Sequence, residues 1–229
     1  MLVSGLLKVD YVTHKRLAKV GKVARLGSKY GGWAIPVGHI DKKSVCYCVG
    51  CGEDISFDLE LIERFDCEVF AYDPTPRAIE YCARAAGHID KYHFFGIGLW
   101  DKDEILKFYE PQNSEHVSHS ICNLQSTDSY FEAECKRLSH IMANNGHDRI
   151  DVLKLDIEGA EYKVLESIKE DGLDIRVICV EYDEYNNPPD ADYMKRIRQS
   201  IEALSENGYK IVVAENNGNF TLVKIDGGN

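Results

Sequence analysis

Features that would mark a membrane, secreted or nucleic-acid-binding protein are missing from this sequence. No apolar run approaches the ~20 residues of a bilayer-spanning helix. The start, MLVSGLLKVD, has neither the apolar length nor the cleavage site of a signal peptide. Basic residues are scarce, since 27 Lys and Arg face 38 Asp and Glu and leave a net charge of −11. Nucleic-acid binders need a basic surface. We therefore predict a cytoplasmic protein that binds neither membranes nor nucleic acid.

The cysteines lack the spacing of a metal site or a disulfide framework. A zinc site at Cys46-x-Cys48-x-x-Cys51 would need a second Cys-x-x-Cys, and Cys46 and Cys48 fall in a predicted strand that cannot wrap an ion. Small buried thiols behave as apolar residues. We predict that the cysteines are buried packing residues and that they form no metal site.

What the sequence does contain is an alternation of strand and helix signals. Apolar runs typical of buried strands alternate with patterns of helical period. We predict helices that begin after the caps Asp54 and Thr75, and a further helix over 131–146. The predicted strands cover 44–49, 67–72, 92–97, 104–109, 149–156, 175–182, 209–215 and 219–225. This order predicts an α/β fold with a mostly parallel sheet, helices on both faces and an antiparallel last strand.

Ligands of such sheets bind at the carboxyl ends of the strands, where the glycine turn Gly50–Asp54 follows the first buried strand. A dinucleotide site needs a third glycine, but that position is Ile55, and Glu53 and Asp54 would repel a pyrophosphate. The same acids favour S-adenosylmethionine, which carries positive charge and no phosphate. Asp73, at the end of the second strand, suits the ribose hydroxyls, or it caps the helix that follows.

Two longer stretches, VGCGEDISFDLELIERFDCEVFAYDPTPRAIEY and IDVLKLDIEGAEYKVLESI, resemble the FkbM-type methyltransferases, a branch of the class I S-adenosylmethionine-dependent enzymes. RLGSKYGGWAIP and FFGIGLWDKDEILKFY are similar to that branch as well, so the resemblance covers roughly residues 25–225. It implies a Rossmann-like, seven-stranded methyltransferase sheet. It also implies methyl transfer, usually to a hydroxyl oxygen of a small molecule or sugar.

The resemblance also implies a cofactor site. Many class I enzymes have an acid two residues before the first glycine, where this chain has Cys48, so Glu53 or Asp54 is expected to bind the methionyl ammonium. Asp73 is expected at the ribose, and Gly98–Trp100 near the adenine. The full expected set is Gly50, Cys51, Gly52, Glu53, Asp54, Asp73, Pro74, Gly98, Leu99, Trp100 and Asp156.

Residues 1–40 are expected to form a separate part of the chain. This stretch is rich in lysine and arginine, and Asp10 is the sole acid among its first thirty residues. We predict a basic helical arm or lid over 1–40, and an S-adenosylmethionine-binding methyltransferase domain over 41–229. The arm is either a solvated amphipathic helix or a cover that holds a carboxylate of cofactor or substrate.

Transfer to an alcohol needs a base or a metal, because a hydroxyl is a poor nucleophile until its proton leaves. We predict Asp156, Glu158 and His119 as catalytic residues, with His119 or Asp156 as the base. A Mg²⁺ site formed by Asp156, Glu181 and Asp183 is the alternative, and we predict that no metal is needed. For Glu161 we expect only an interaction with the helix dipole.

Two other functions stay open at this level. The first is a module that keeps the cofactor-binding fold but has lost methyl transfer, and the intact carboxylates at Asp73 and Asp156 argue against it. A nicotinamide-dependent oxidoreductase is opposed by Ile55 and the acidic turn. The sequence does not indicate the acceptor or the oligomeric state.

Overall fold

A sheet of seven strands forms the centre of the fold. A computed structural model of the chain describes residue 12 and residues 15–109 and 129–225. The strands are β1 Val23–Leu26, β2 Trp33–Pro36, β3 Val45–Val49, β4 Glu68–Tyr72, β5 Tyr92–Phe95, β6 Gly98–Trp100, β7 Glu104–Tyr109, β8 Tyr130–Arg137, β9 Arg149–Leu155, β10 Asp174–Glu181, β11 Tyr209–Ala214 and β12 Asn219–Lys224. The helices are α1 Ser56–Phe65, α2 Pro76–Ala86, α3 Leu138–Asn145, α4 Glu161–Glu170 and α5 Tyr193–Glu206. The strands of the central sheet lie in the order β11-β12-β10-β9-β3-β4-β5.

The direction of the strands confirms the predicted fold class. β3 pairs in parallel with β4 on one side and β9 on the other, and β9 pairs in parallel with β10. β12 runs antiparallel to both of its neighbours, β10 and β11. Because the chain leaves β3 in one direction for β4 and later returns beside β3 as β9, the strand order reverses at β3. This switch point is where ligands of open α/β sheets bind.

Two apolar layers cover the sheet, as expected for buried parallel strands. Alternate residues of β3 point to opposite layers, with Tyr47 on the side of α3, α4 and α5 and Cys48 on the side of α1 and α2. Thr75 is the N-cap of α2, and its side chain accepts a hydrogen bond from the Ala78 N–H, as predicted. None of the helices in the described ranges has the length and apolarity that crossing a membrane requires.

Residues 15–40 contain no α-helix, so the helical form of the predicted basic arm is wrong for this part of it. They form instead an antiparallel hairpin of β1 and β2. Leu26, Trp33 and Ile35 are buried in the layer that holds α1 and α2. Residues 1–11, 13 and 14 of the arm lie outside the described residues, and the domain boundary at residue 40 stays a prediction.

The predicted helix over 131–146 is confirmed only in its second half. Residues 130–137 form β8, which pairs antiparallel with β7 and parallel with β6 in a separate three-stranded sheet. Exposed and half-buried residues alternate along β8 up to Cys135, which is the period of a strand. The predicted strand at 104–109 is confirmed as β7.

Candidate active site

A cleft of about 320 Å³ lies at the carboxyl ends of β3, β4 and β9. The glycine turn 50–54 lines its floor. Residues 72–75 line one side together with Phe108, and residues 156–158 line the other. Tyr30, on the turn of the β1–β2 hairpin, stands at the cleft with its side chain largely in solvent. The structure thus brings the predicted glycine turn, Asp73 and Asp156 together around one cavity.

Gly50 lies directly against the backbone of Asp156, where β3 and β9 end. Its φ is +81°, a conformation that L residues rarely adopt. A Cβ atom on Gly50 would lie 1.7 Å from the carbonyl oxygen of Asp156. The Asp156 N–H donates to the Val49 carbonyl at 3.2 Å, which fixes this approach. The backbone of the glycine turn and that of Asp156 are therefore in direct contact.

Lys154 is a site residue that the sequence analysis did not single out. Its side chain is buried, donates to the Gly50 carbonyl and lies 3.2 Å from Asp156 Oδ2. Burial alone lowers the pKa of Lys154, but the carboxylates of Asp156 and Asp58 outweigh it and hold that pKa above its usual range. A lysine inside the apolar run VLKL was the available signal, since a buried ammonium needs anionic partners.

We expect Lys154→Met to lower the free energy of unfolding by about 3–5 kcal/mol, because it leaves Asp156 and the buried Asp58 without their cation. Urea denaturation measures this change. Lys163→Met is the matched control, since Lys163 is half exposed and pairs with Glu166 at 3.5 Å. It should change stability by less than about 1 kcal/mol. Equally small losses in both variants would contradict the buried ion pair.

The acids beside Asp156 are crowded. Burial raises the pKa of Glu181 to about 8 and that of Asp183 to about 11, and neighbouring carboxylates such as Asp156 and Glu158 add to both shifts. Glu158 has a φ of +51°, which places a non-glycine residue in the left-handed region at the end of β9. This end of the cleft favours cationic ligands, since added positive charge relieves the repulsion among the carboxylates.

Glu161 serves the turn that precedes α4. Its carboxylate accepts hydrogen bonds from the Ile157 N–H at 3.1 Å and the Gly159 N–H at 3.0 Å. It is buried, and burial raises its pKa to about 8. The side chain thus holds the turn before α4 by specific hydrogen bonds, which goes beyond the interaction with the helix dipole that we expected.

Glu53 and Asp54 both line the cleft but already have partners. Glu53 forms an ion pair with Arg77 at 2.5 Å. Asp54 accepts from the Ser28 hydroxyl at 2.6 Å and from the Ser56 N–H at 2.9 Å. The N-cap of α1 is Ile55, so the predicted cap Asp54 lies one residue too early. Its carboxylate still binds the first N–H of α1 and fastens the β1–β2 hairpin to the cleft.

The lining of the cleft differs at one residue from the set that was expected near the adenine. Pro74, Gly98 and Leu99 line the cleft, whereas Trp100 does not. Successive strand residues point to opposite faces, so Leu99 in β6 faces the cleft and Trp100 turns away from it. Phe108, which sequence reasoning missed, takes its place: a Cβ atom on Gly98 would lie 3.2 Å from Phe108 Cζ.

Several predicted residues lie outside the cleft or outside the described part of the chain. His119 and Cys122 fall between residues 109 and 129 and are not described. The described cysteines are buried free thiols, which confirms their packing role: Cys46, Cys48, Cys51, Cys67, Cys82, Cys135 and Cys179. Within residues 15–109 and 129–225, no group of three or more His, Cys, Asp or Glu side chains is arranged to hold a metal ion.

Comparison with known proteins gives matches to methyltransferases. The 2-O-methyltransferase NoeI of Sinorhizobium fredii is 27% identical over 153 residues, which cover 59% of this chain and 62% of the relative. Probable methyltransferase-like protein 24 of Homo sapiens is 29% identical over 129 residues, or 56% of this chain and 29% of the relative. The chain thus matches less than two thirds of the length of either relative.

Among solved structures, the fibrillarin pre-rRNA processing protein of Methanococcus jannaschii has a TM-score of 0.48 at 12% identity, covering 90% of this chain and 84% of that one. The Podospora anserina methyltransferase PaMTH1, solved with bound SAH, has a TM-score of 0.43 at 9% identity, covering 80% and 72%. The family model described as Methyltransferase FkbM domain matches residues 47–211, which is more than half of the chain. The matched residues include the glycine turn and the LKLDIEGAE block. This chain therefore belongs to the FkbM methyltransferase family.

Proposed function

We propose that the chain is an S-adenosylmethionine-dependent methyltransferase that acts on a hydroxyl oxygen of a small molecule or sugar. The observation that carries the proposal is the acid-lined cleft at the switch point, over a glycine turn in which Gly50 has no room for a side chain. The name of the relative NoeI, a 2-O-methyltransferase, supports oxygen as the accepting atom. When bound, the cofactor supplies a methyl group on a positively charged sulfur.

The residues around the cleft fit this cofactor. Carboxylates line both the glycine turn and the end of β9, and the buried cation Lys154 is engaged by Gly50 and Asp156. A sulfonium and an ammonium are favoured in such surroundings, and a pyrophosphate is not. The cleft volume of about 320 Å³ lies within the usual range of small-molecule sites. The same charges disfavour a nicotinamide dinucleotide.

Each part of the cleft has a proposed task. The turn formed by Gly50, Cys51, Gly52, Glu53 and Asp54 lies beneath the cofactor, with Asp73 and Pro74 beside it. Gly98, Leu99 and Phe108 border the adenine. Asp156 and Glu158 face the methyl group and the acceptor. Asp156 or His119 receives the proton that the acceptor hydroxyl must lose.

The activity is tested with S-adenosylmethionine carrying a labelled methyl group and a panel of glycosides, polyols and phenols. We expect a labelled product whose methyl group is bound to oxygen, as judged by mass spectrometry and NMR. The same reaction should proceed in EDTA. Methylation of nitrogen would contradict the proposed hydroxyl acceptor. Loss of activity in EDTA that Mg²⁺ restores would contradict the metal-free route.

Phe108 offers a separate test of the adenine position. Its ring is 6% exposed and stacks on Phe131 with centroids 5.3 Å apart. We expect Phe108→Ala to weaken binding of S-adenosylhomocysteine roughly 5- to 150-fold, since an aromatic wall contributes ~1–3 kcal/mol per stacked base. Calorimetry measures the affinity. Tyr109→Ala, the next residue of β7, should leave it unchanged because Tyr109 does not line the cleft. Equal affinities in both variants would place the purine elsewhere.

A further inference from the structure

The carboxylate of Asp73 is fully occupied by the protein itself. Asp73 is 4% exposed at the end of β4. Its Oδ2 accepts hydrogen bonds from the Cys51 N–H and the Gly52 N–H, both at 2.9 Å. Its Oδ1 accepts from the Thr75 N–H at 2.8 Å and from the Thr75 hydroxyl at 2.7 Å. A carboxylate has about four acceptor positions, and here the protein fills all of them.

These contacts join two loops. The Oδ2 contacts draw two successive N–H groups of the glycine turn towards one anionic oxygen, an arrangement that fixes the turn. The Gly50 N–H, one residue earlier, donates to the Tyr72 carbonyl at 2.9 Å. On the other side, Thr75 is the N-cap that begins α2. Asp73 therefore ties the turn after β3 to the start of α2.

We infer that Asp73 is a positioning residue, which acts on the cofactor through the glycine turn and does not bind the ribose hydroxyls itself. This inference rests on the proposed function. A ribose hydroxyl can reach Asp73 only by displacing a protein donor, such as the Cys51 N–H, and a buried N–H without a partner is unfavourable. Such an exchange forms one hydrogen bond between the ribose and Asp73 and breaks one between the protein donor and Asp73. The ribose hydroxyls are then bound by groups other than Asp73.

The test compares two ligands that differ only at the ribose. S-adenosylhomocysteine and its 2′,3′-dideoxy analogue are titrated calorimetrically into the wild-type chain, Asp73→Ala and the exposed control Asp90→Ala. We expect Asp73→Ala to weaken both ligands by the same factor, about tenfold or more. The ratio of the two Kd values then stays within about twofold of the wild-type ratio. Asp90→Ala should change neither Kd.

A selective loss would overturn the inference: if Asp73→Ala weakens the hydroxylated ligand alone, and the ratio of Kd values falls to about one, Asp73 binds the ribose. If Asp73→Ala binds neither ligand, Asp73→Asn provides the same comparison, because it keeps one acceptor oxygen and weakens the hold on the glycine turn. An unchanged ratio in Asp73→Asn supports the inference, and a selective loss of the hydroxylated ligand contradicts it. Failure of the wild-type chain to bind either ligand would count against the proposed function instead.

Discussion

Gly50→Ala should lose measurable affinity for S-adenosylhomocysteine. The new Cβ atom would stand 1.7 Å from the Asp156 carbonyl oxygen, and both atoms belong to backbone segments that the central sheet fixes. The ends of β3 and β9 must separate to make room, which displaces the turn under the cofactor and Asp156 together. Overpacking of this kind costs ~1–3 kcal/mol, and the left-handed φ of +81° adds ~1–2 kcal/mol for a residue with a side chain.

Gly52→Ala is the matched control for this result. Gly52 also has a positive φ, +52°, but no heavy atom lies within 4 Å of the position that its Cβ would take. Without ligand, only the strain of the left-handed φ, ~1–2 kcal/mol, destabilises Gly52→Ala. Thermal unfolding without ligand should therefore show a larger loss of stability in Gly50→Ala than in Gly52→Ala, and calorimetry then measures the affinity of Gly50→Ala for S-adenosylhomocysteine. Retained affinity in Gly50→Ala would mean that the cofactor does not depend on the contact between β3 and β9.

Asp156→Asn should lower turnover by about 10² to 10⁴ and leave S-adenosylhomocysteine bound. A positioned general base contributes a factor of this size, and an amide cannot take the proton of the acceptor hydroxyl. Asp156 lies at the cleft beside Glu158, with Lys154 Nζ 3.2 Å from its Oδ2. Steady-state kinetics and calorimetry on the same protein distinguish lost chemistry from lost binding.

Two companion variants complete the comparison. His119→Ala should also keep the affinity for S-adenosylhomocysteine and lower turnover by about 10² to 10⁴ if this histidine is the base. Asp174→Asn, at the opposite end of β10 in an exposed pair with Lys224, should leave turnover unchanged. Full activity in both Asp156→Asn and His119→Ala would remove the two residues from proton transfer.

The sheet and its ligand edge could be predicted from sequence because the signals are local. Most residues of β9 and β10 are apolar and buried, and β12 follows a tight turn that reverses the chain. Parallel strands end at one edge of the sheet, so Gly50 and Asp156 were expected near one another. Their direct backbone contact was not predicted, because it depends on how far two distant strands extend.

The features that the sequence analysis did not predict depend on contacts between distant parts of the chain. The β1–β2 hairpin is held by Ser28, which donates to Asp54, and by the close approach of Gly27 to the Phe57 backbone. The strand β8 forms because β6 and β7 lie on either side of it, which overrides the helical pattern of its residues. Lys154 is buried because Asp156, Asp58 and the Gly50 carbonyl, which come from three separate segments of the chain, surround its ammonium group.

Thermal unfolding with and without ligand tests most directly whether this cleft binds S-adenosylmethionine. S-adenosylhomocysteine at a hundredfold excess over its Kd should stabilise the wild-type chain by about 2.7 kcal/mol and raise its Tm, whereas NAD at the same concentration should not. Gly50→Ala should show no rise with either ligand. A rise in Tm with NAD and none with S-adenosylhomocysteine would contradict the account.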